Sequence, residues 1–272
     1  GYTGLPSFGH GAFLGIGAYA FGLTQFNIAA NLWVSLFGAV AATAVLGGLG
    51  AAVISHRRGI YYALMTSAFG QVCWFVSMKW HTVTGGEDGL LNVHRGTLNL
   101  LVTDASLKDN ADLFYFAFAV LVAVVLILWR LVHSPYGKAL QAIRMNQMRA
   151  GFVGYNVWLI KWSVFTLSGA IAGLAGGLFA IAQESAYPDV MSLHASGFVV
   201  MMTLIGGGFV SFWGPVIGAI VFFVARDFLG SITETWLLWY GLMFMGVIIF
   251  KPEGIAGAFQ DFVAKRRARV EN

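Results

Sequence analysis

Long apolar runs, not alternation, organise this sequence. They recur at 9–28, 32–54, 60–80, 113–132, 160–182 and 235–250. About 20 mainly apolar residues in a helix cross a hydrocarbon layer about 30 Å thick. Backbone polar groups in lipid must be satisfied within the segment, which selects helices here. Strands of a membrane barrel would instead alternate over runs of about 10 residues. Each run is therefore predicted as a transmembrane helix. A longer apolar stretch at 196–226 is interrupted by Gly206, Gly207 and Gly208. At 1.5 Å per residue its flanks are expected to reach only about half way across a bilayer. The fold class that follows is all-α: a polytopic transmembrane helical bundle with one broken or re-entrant helix pair.

The polar intervals orient the runs. From Arg130 to Lys161 there are five Lys or Arg and no Asp or Glu, whereas His81 to Asp112 holds two Lys or Arg and five Asp or Glu. Cations collect on the cytoplasmic side, so the first interval is predicted inside and the second outside. His56-Arg57-Arg58 and the tail Lys265-Arg266-Arg267 are predicted inside as well. By parity, 196–226 then begins and ends on the outer side, which favours a re-entrant pair. A weak internal echo supports interruption. Gly4-x-x-Ser7-Phe8-x-x-Gly11-x-x-x-Gly15 returns, one residue shorter, as Gly208-x-x-Ser211-Phe212-x-Gly214-x-x-x-Gly218. Repeats with broken helices in corresponding positions are a feature of transporters, although a glycine-rich chain also produces such echoes by chance.

Composition agrees. Hydrophobic residues make up 58% and charged residues 10%, against about 25% charged in soluble domains. The 35 glycines suit close helix packing in lipid, and Gly11/Gly15, Gly169/Gly173/Gly177 and Gly214/Gly218 read as packing motifs. The net charge of +4 belongs to inside loops facing a lipid bilayer, not to a nucleic-acid partner. With Cys73 alone, no internal disulfide forms. Gly15-x-Gly17-x-x-Ala20 imitates a dinucleotide fingerprint but lacks the strand that motif requires, and Gly137-Lys138 lacks the flanking residues of a phosphate loop. No metal-ligand spacing and no catalytic triad stand out, so no metal, cofactor or catalytic residue is assigned to this chain. The sequence opens inside a glycine-rich apolar segment, and preceding helices are expected.

The segment 134–158 is too polar to be inserted and too long for a tight turn. Pro135 and Gly137 end the incoming helix. An amphipathic piece follows, with Leu140, Ile143 and Met148 on one side and Gln141, Arg144 and Arg149 on others. Such a piece lies on headgroups or docks on a soluble partner; the apolar side chains with Gly151 and Gly154 favour the partner.

Taken in order, GYTGLPSFGHGAFLGIGAY at 1–19, TGGEDGL at 84–90, SPYGKALQAIRMNQMRAGFVGYNV at 134–157, LSGAIAGLAGGLFA at 167–180, LIGGGFVSFWGPVIGA at 204–219 and IIFKPEGIAG at 248–257 resemble permeases of the branched-chain amino-acid ABC transporter family, of the LivM/LivH type. The resemblance implies one permease domain over 1–272 in a bacterial inner membrane, with a cytoplasmic coupling loop at 133–159 and a cytoplasmic tail at 251–272. It implies a second permease subunit, two cytoplasmic ABC ATPases that hold ATP and Mg, and an extracytoplasmic substrate-binding protein. By position, Gln141, Ala142, Arg144, Asn146, Arg149, Ala150 and Gly154 belong to the ATPase-coupling motif. Met145 and Gly151 depart from it, where the family often carries acidic residues.

Polar groups inside apolar runs face a protein interior or water, because in lipid they are costly. On that ground Ser7, His10, Thr66, Ser67, Gln71, Thr84, Asp88, Ser211 and Trp213 are candidates for a solute path. Each also has a plainer reading. His10 can bond a neighbouring backbone, Thr66 and Ser67 can bond back to their own helix, and 84–89 can be an external turn. An ATP-independent transporter or channel would use the same interrupted helices but would not need the 134–158 loop, and a membrane enzyme would need a convergent catalytic set, which does not stand out.

Overall fold

The computed structural model describes residues 2–28, 31–95, 97–100, 103–106, 109–207, 211–250, 254 and 257. The helices are α1 (His10–Asn27), α2 (Leu32–Ile54), α3 (Gly59–Lys79), α4 (His81–Thr84), α5 (Asn110–Val132), α6 (Pro135–Met145), α7 (Gln147–Phe152), α8 (Val157–Gln183), α9 (Leu193–Gly207), α10 (Gly214–Ile232) and α11 (Trp236–Phe250). Short 3-10 turns occupy Gly86–Asp88 and Pro188–Met191. Among the described residues, α2, α5, α8 and α10 are long and apolar enough to cross a membrane. The all-α reading holds, with small β additions that no periodicity announced. β1 (Leu90–Leu91) pairs antiparallel with β4 (Ser185–Ala186), and β2 (Thr97–Leu100) pairs antiparallel with β3 (Thr103–Ser106).

Two compact units are present, one of Leu5–Ser196 and one of Gly1–Gly4 with Gly197–Asn272. In the larger unit α1, α2 and α8 pack closely, and glycine explains how. A Cβ on Gly176 would stand 2.0 Å from the Leu14 carbonyl oxygen, one on Gly17 2.2 Å from that of Gly173, and one on Gly173 2.1 Å from Thr43 Oγ1. The helices meet backbone to backbone because small residues let them. Around these contacts Phe13, Phe21, Leu32, Ala39, Ala180 and Ile181 are fully buried. The Gly15/Gly17/Ala20 imitation of a nucleotide fingerprint is thus helix interior. By contrast, α5 shows an exposed apolar surface at Phe114, Phe118, Leu121 and Leu126, as a lipid-facing helix does.

The stretch 196–226 differs from its sequence reading. Gly206 and Gly207 end α9, Ser211 and Trp213 precede α10, and Gly208 lies outside the described residues. The second flank is no half-span: α10 has 19 residues, about 28 Å at 1.5 Å per residue. A Cβ on Gly206 would meet the Gly214 carbonyl oxygen at 1.8 Å, and one on Gly218 that of Met202 at 1.8 Å. These positions make α9 and α10 an antiparallel hairpin in close backbone contact. Phe198, Ile205, Phe222 and Tyr240 fill this unit's core. Both copies of the echo place a helix start three residues after the serine, at His10 and at Gly214.

Candidate solute path and coupling loop

α1 begins at His10 because the chain before it cannot be helical. Gly4 has φ +68° and Pro6 offers no N–H. The amide groups left over at the start of a helix need partners, and here side-chain hydroxyls supply them. Phe8 N donates to Thr66 Oγ1 at 3.2 Å, Gly9 N to Ser7 Oγ at 3.4 Å, and Gly11 N to Ser196 Oγ at 3.0 Å. Gly9 sits so close to α3 that a Cβ would be 2.3 Å from the Thr66 carbonyl oxygen.

His10 joins two of these elements. Its Nδ1 is 2.8 Å from Ser7 Oγ and its Nε2 is 2.7 Å from Ser168 Oγ on α8. The rings of Phe13 and Phe165 meet its edge at 5.6 and 6.0 Å. His10 as a residue is only half-buried, and its polar imidazole stands at the break where the non-helical residues 2–9 give way to α1.

The break has a second wall. α1 and α8 run parallel, with His10 beside Ser168 and Gly17 beside Gly173. At the far end of α1, Gln25 clasps the chain: Gln25 Nε2 donates to the His94 carbonyl and His94 N donates to Gln25 Oε1, both at 2.9 Å. Glu184 and β4 pair there with Val93 and β1. By Met191 the chain has reached Gly15, and by Ser196 it touches Gly11. Gly11 to Gln25 is a rise of about 21 Å at 1.5 Å per residue. Residues 184–192 therefore descend along α1 without forming an α-helix. Ala186, Pro188 and Met191 of this stretch are buried, while Glu184 and Asp189 are exposed. The descent starts at Glu184, upstream of the 196–226 stretch.

The sequence-predicted path residues sort by position. Ser7, His10 and Thr66 come together at the break. Thr66 Oγ1 also donates to the Ala63 carbonyl, so the back-bonding reading is correct as well. Ser67 and Gln71 are half-buried on α3, one position round from Thr66 and Gly70, which face α1. Thr84 does structural work: its Oγ1 lies 2.6 Å from the Ser77 carbonyl and 2.8 Å from that of Trp80. Asp88 is exposed in a turn whose glycines at 85, 86 and 89 have positive φ. Ser211 is buried and Trp213 half-exposed, both in the smaller unit. Ser168 and Ser196 were not singled out by sequence; their one signal is a hydroxyl within an apolar run.

The loop after α5 is built for a fixed shape. A Cβ on Gly137 would stand 1.9 Å from the Val132 carbonyl oxygen, so the turn from α5 into α6 needs glycine. α6 buries Gly137, Ala139, Leu140 and Ile143 and exposes Lys138, Gln141 and Arg144, with Ala142 between. Asn146 then caps α7, its Oδ1 accepting from Met148 N and Arg149 N at 3.0 Å each. Ala150 is buried, and Gly154, at φ +99°, lets the chain turn toward α8. Tyr136 Oη is 2.7 Å from Ser163 Oγ of α8. Burial pushes the Tyr136 phenol above its usual range, opposed by that hydrogen bond. Met148 is not on the inner side as its spacing suggested. Met145 (88% exposed), Met148, Phe152 (85%) and Val153 present an apolar surface beside Arg149.

Comparison with known proteins fits this architecture. The chain is 29% identical over 274 residues to the high-affinity branched-chain amino acid transport system permease protein LivM of Salmonella typhimurium and to that of Escherichia coli, covering 94% of this chain and 64% of each relative. It thus spans less than two thirds of the length of these relatives. The ribose import permease protein RbsC of Bacillus subtilis is 28% identical over 134 residues, 47% of this chain and 41% of its own. No solved structure matches. A family model described as the permease component of branched-chain amino acid transport systems matches residues 1–251, and the chain belongs to that family.

Proposed function

We propose that this chain is a membrane-spanning subunit of an ATP-driven importer of the ABC type, moving a small polar solute by alternating access. The observation that carries the reading is the α6–α7 loop. It has a fixed, capped shape, an exposed apolar and basic surface, and a direct continuation into the helix that holds Ser168. In this reading the loop and the tail are cytoplasmic, 81–112 is extracytoplasmic, and the membrane is a bacterial inner membrane. Two cytoplasmic ATPases dock on the loops and supply ATP and Mg, a second permease subunit completes the path, and an extracytoplasmic binding protein delivers the solute. This chain contributes the two-state membrane element and no bond chemistry; nucleotide shifts its equilibrium only by differential affinity for the two states.

The solute proposed is an amino acid, branched-chain first. The relatives matched over 94% of this chain carry that name, while the ribose permease matches over 47%. The path proposed runs past His10, with Ser7, Ser168 and Ser196 exchanging hydrogen bonds with the passing polar group. The test is reconstitution of the complex in proteoliposomes. ATP hydrolysis should rise when loaded binding protein is added, and uptake should need both. Solute flux indifferent to ATP, or to removal of the ATPase, would refute it.

A further inference from the structure

Two contacts at the loop end of the larger unit point beyond docking. Tyr136, in the first turn of α6, meets Ser163 Oγ at 2.7 Å and the Ile160 carbonyl at 3.4 Å, both on α8. Two residues before Ser163, Lys161 is 1% exposed. Its Nζ donates to the Arg57 carbonyl, in the turn between α2 and α3, and lies 5.4 Å from the centre of the Tyr62 ring. A buried ammonium is costly unless it is paired, and a basic side chain a turn into an apolar helix would be cheaper pointing at headgroups. Aromatic residues brace the same join. Trp162 Nε1 donates to the Gly48 carbonyl at 2.9 Å, and Trp158 stacks on His56.

Both elements gripped here pass the break before α1. Ser163 lies five residues before Ser168 on one unbroken helix, about 7.5 Å along its axis, and Ser168 holds His10 Nε2. Arg57 lies nine residues before Thr66, whose hydroxyl accepts from Phe8 N on the other side of the same break. The loop is thus joined to α8 through Tyr136, and α8 is joined through Lys161 to the turn that leads into α3.

We propose that Tyr136 and Lys161 are positioning residues that carry displacement of the α6–α7 loop to the two supports of the α1 break, so that α8 and α3 move together. This rests on the loop being the ATPase-docking element. Lys161 is buried and Tyr136 half-buried, with both side chains turned to α8 or the α2–α3 turn and not to the exposed Met145–Phe152 surface. Removing their contacts uncouples hydrolysis from transport without removing either partner.

The experiment uses the full reconstituted complex with Tyr136→Phe, Lys161→Met and both together. Hydrolysis stimulated by loaded binding protein should stay within about twofold of the starting protein. Solute moved per ATP should fall at least about fivefold in the double variant, and by more than the product of the single effects. A double-mutant cycle is what separates coupling from mere proximity. Lys161→Arg, which keeps a buried donor, should recover most of the ratio. A ratio unchanged in the double variant, or single effects that simply multiply, overturns the proposal. Should Lys161→Met prevent assembly, Tyr136→Phe and Ser163→Ala delete the same hydroxyl contact from either end and must lower the ratio equally. Phe152→Glu separates this from the docking reading: if stimulated hydrolysis survives that change, the loop is not the docking element; if hydrolysis is lost there while the clamp variants keep a normal ratio, only the clamp is wrong.

Discussion

At the scale of single residues, glycine and hydroxyl decide this structure. Gly176 has the Leu14 carbonyl 2.0 Å from where a Cβ would be. Neither partner is a side-chain tip, so neither can swing away. Gly176→Val should therefore force α1 and α8 apart and cost about 1–3 kcal/mol, the usual penalty for overpacking. The check is thermal unfolding in detergent, with Gly151→Val, whose Cβ meets nothing within 4 Å, as the comparison. His10 makes a different prediction, because its contacts are polar. His10→Phe fills the space between Phe13 and Phe165 but leaves Ser7 and Ser168 without that partner. Unfolding should shift little and uptake should fall at least about tenfold, while His10→Gln, which keeps a donor and an acceptor, should retain more. Equal uptake in the two variants would remove His10 from the proposed path. The role of the imidazole was readable in the sequence only as a polar group in an apolar run. Its partners were not, since Ser7 and Ser168 are three and 158 positions away, and periodicity carries no information about such pairs.

At the scale of elements, the sequence was legible where an element stands on its own apolar run and illegible where it depends on a neighbour. Runs at 32–54, 113–132 and 160–182 correspond to α2, α5 and α8 within a few residues, because length and hydropathy alone specify a span. The two-residue strands β1 and β4 have no period to read; they exist because 90–91 and 185–186 lie side by side. The descent at 184–192 was hidden for the same reason. Its polar residues, Glu184, Ser185 and Asp189, look like a surface connection, and only burial against α1 makes it something else. α7 lies between these cases. Six residues do not hold a helix unaided, but Asn146 was visible at its start. With Asn146→Ala, α7 should lose about 1 kcal/mol of capping. Proteolysis within 145–155 should quicken and binding-protein-stimulated hydrolysis should weaken, with Asn146→Asp, another good cap, restoring both. Unaltered cleavage would mean that α7 is held by packing of Ala150 alone.

At the scale of the molecule, two clasps bracket the break before α1, one on each side. The Lys161–Arg57 contact closes the loop end. At the Gln25 end, β1–β4 pairing, Gln25 with the His94 backbone, and Arg95 with Glu184 at 2.8 Å fasten the 90–95 segment over the head of the descent. Alternating access requires one end to open while the other holds, so the descent at 184–192 must change its relation to the 90–95 segment during the cycle if the path runs beside it. The pairing Leu91↔Ser185 allows that motion to be stopped. Directly opposed residues of an antiparallel pair have Cα atoms about 4.5–5.5 Å apart, within the range a disulfide spans. Cys73 is the protein's single cysteine, so Cys73→Ala gives a clean background for Leu91→Cys with Ser185→Cys. The reduced protein should transport normally. Oxidation should lower uptake by at least about tenfold, and reductant should restore it. Stimulated hydrolysis should fall less, since the loop proposed to receive the ATPase lies at the opposite end. If the oxidised protein still transports at full rate, the Gln25 end is a permanent seal and the path leaves the larger unit by another face.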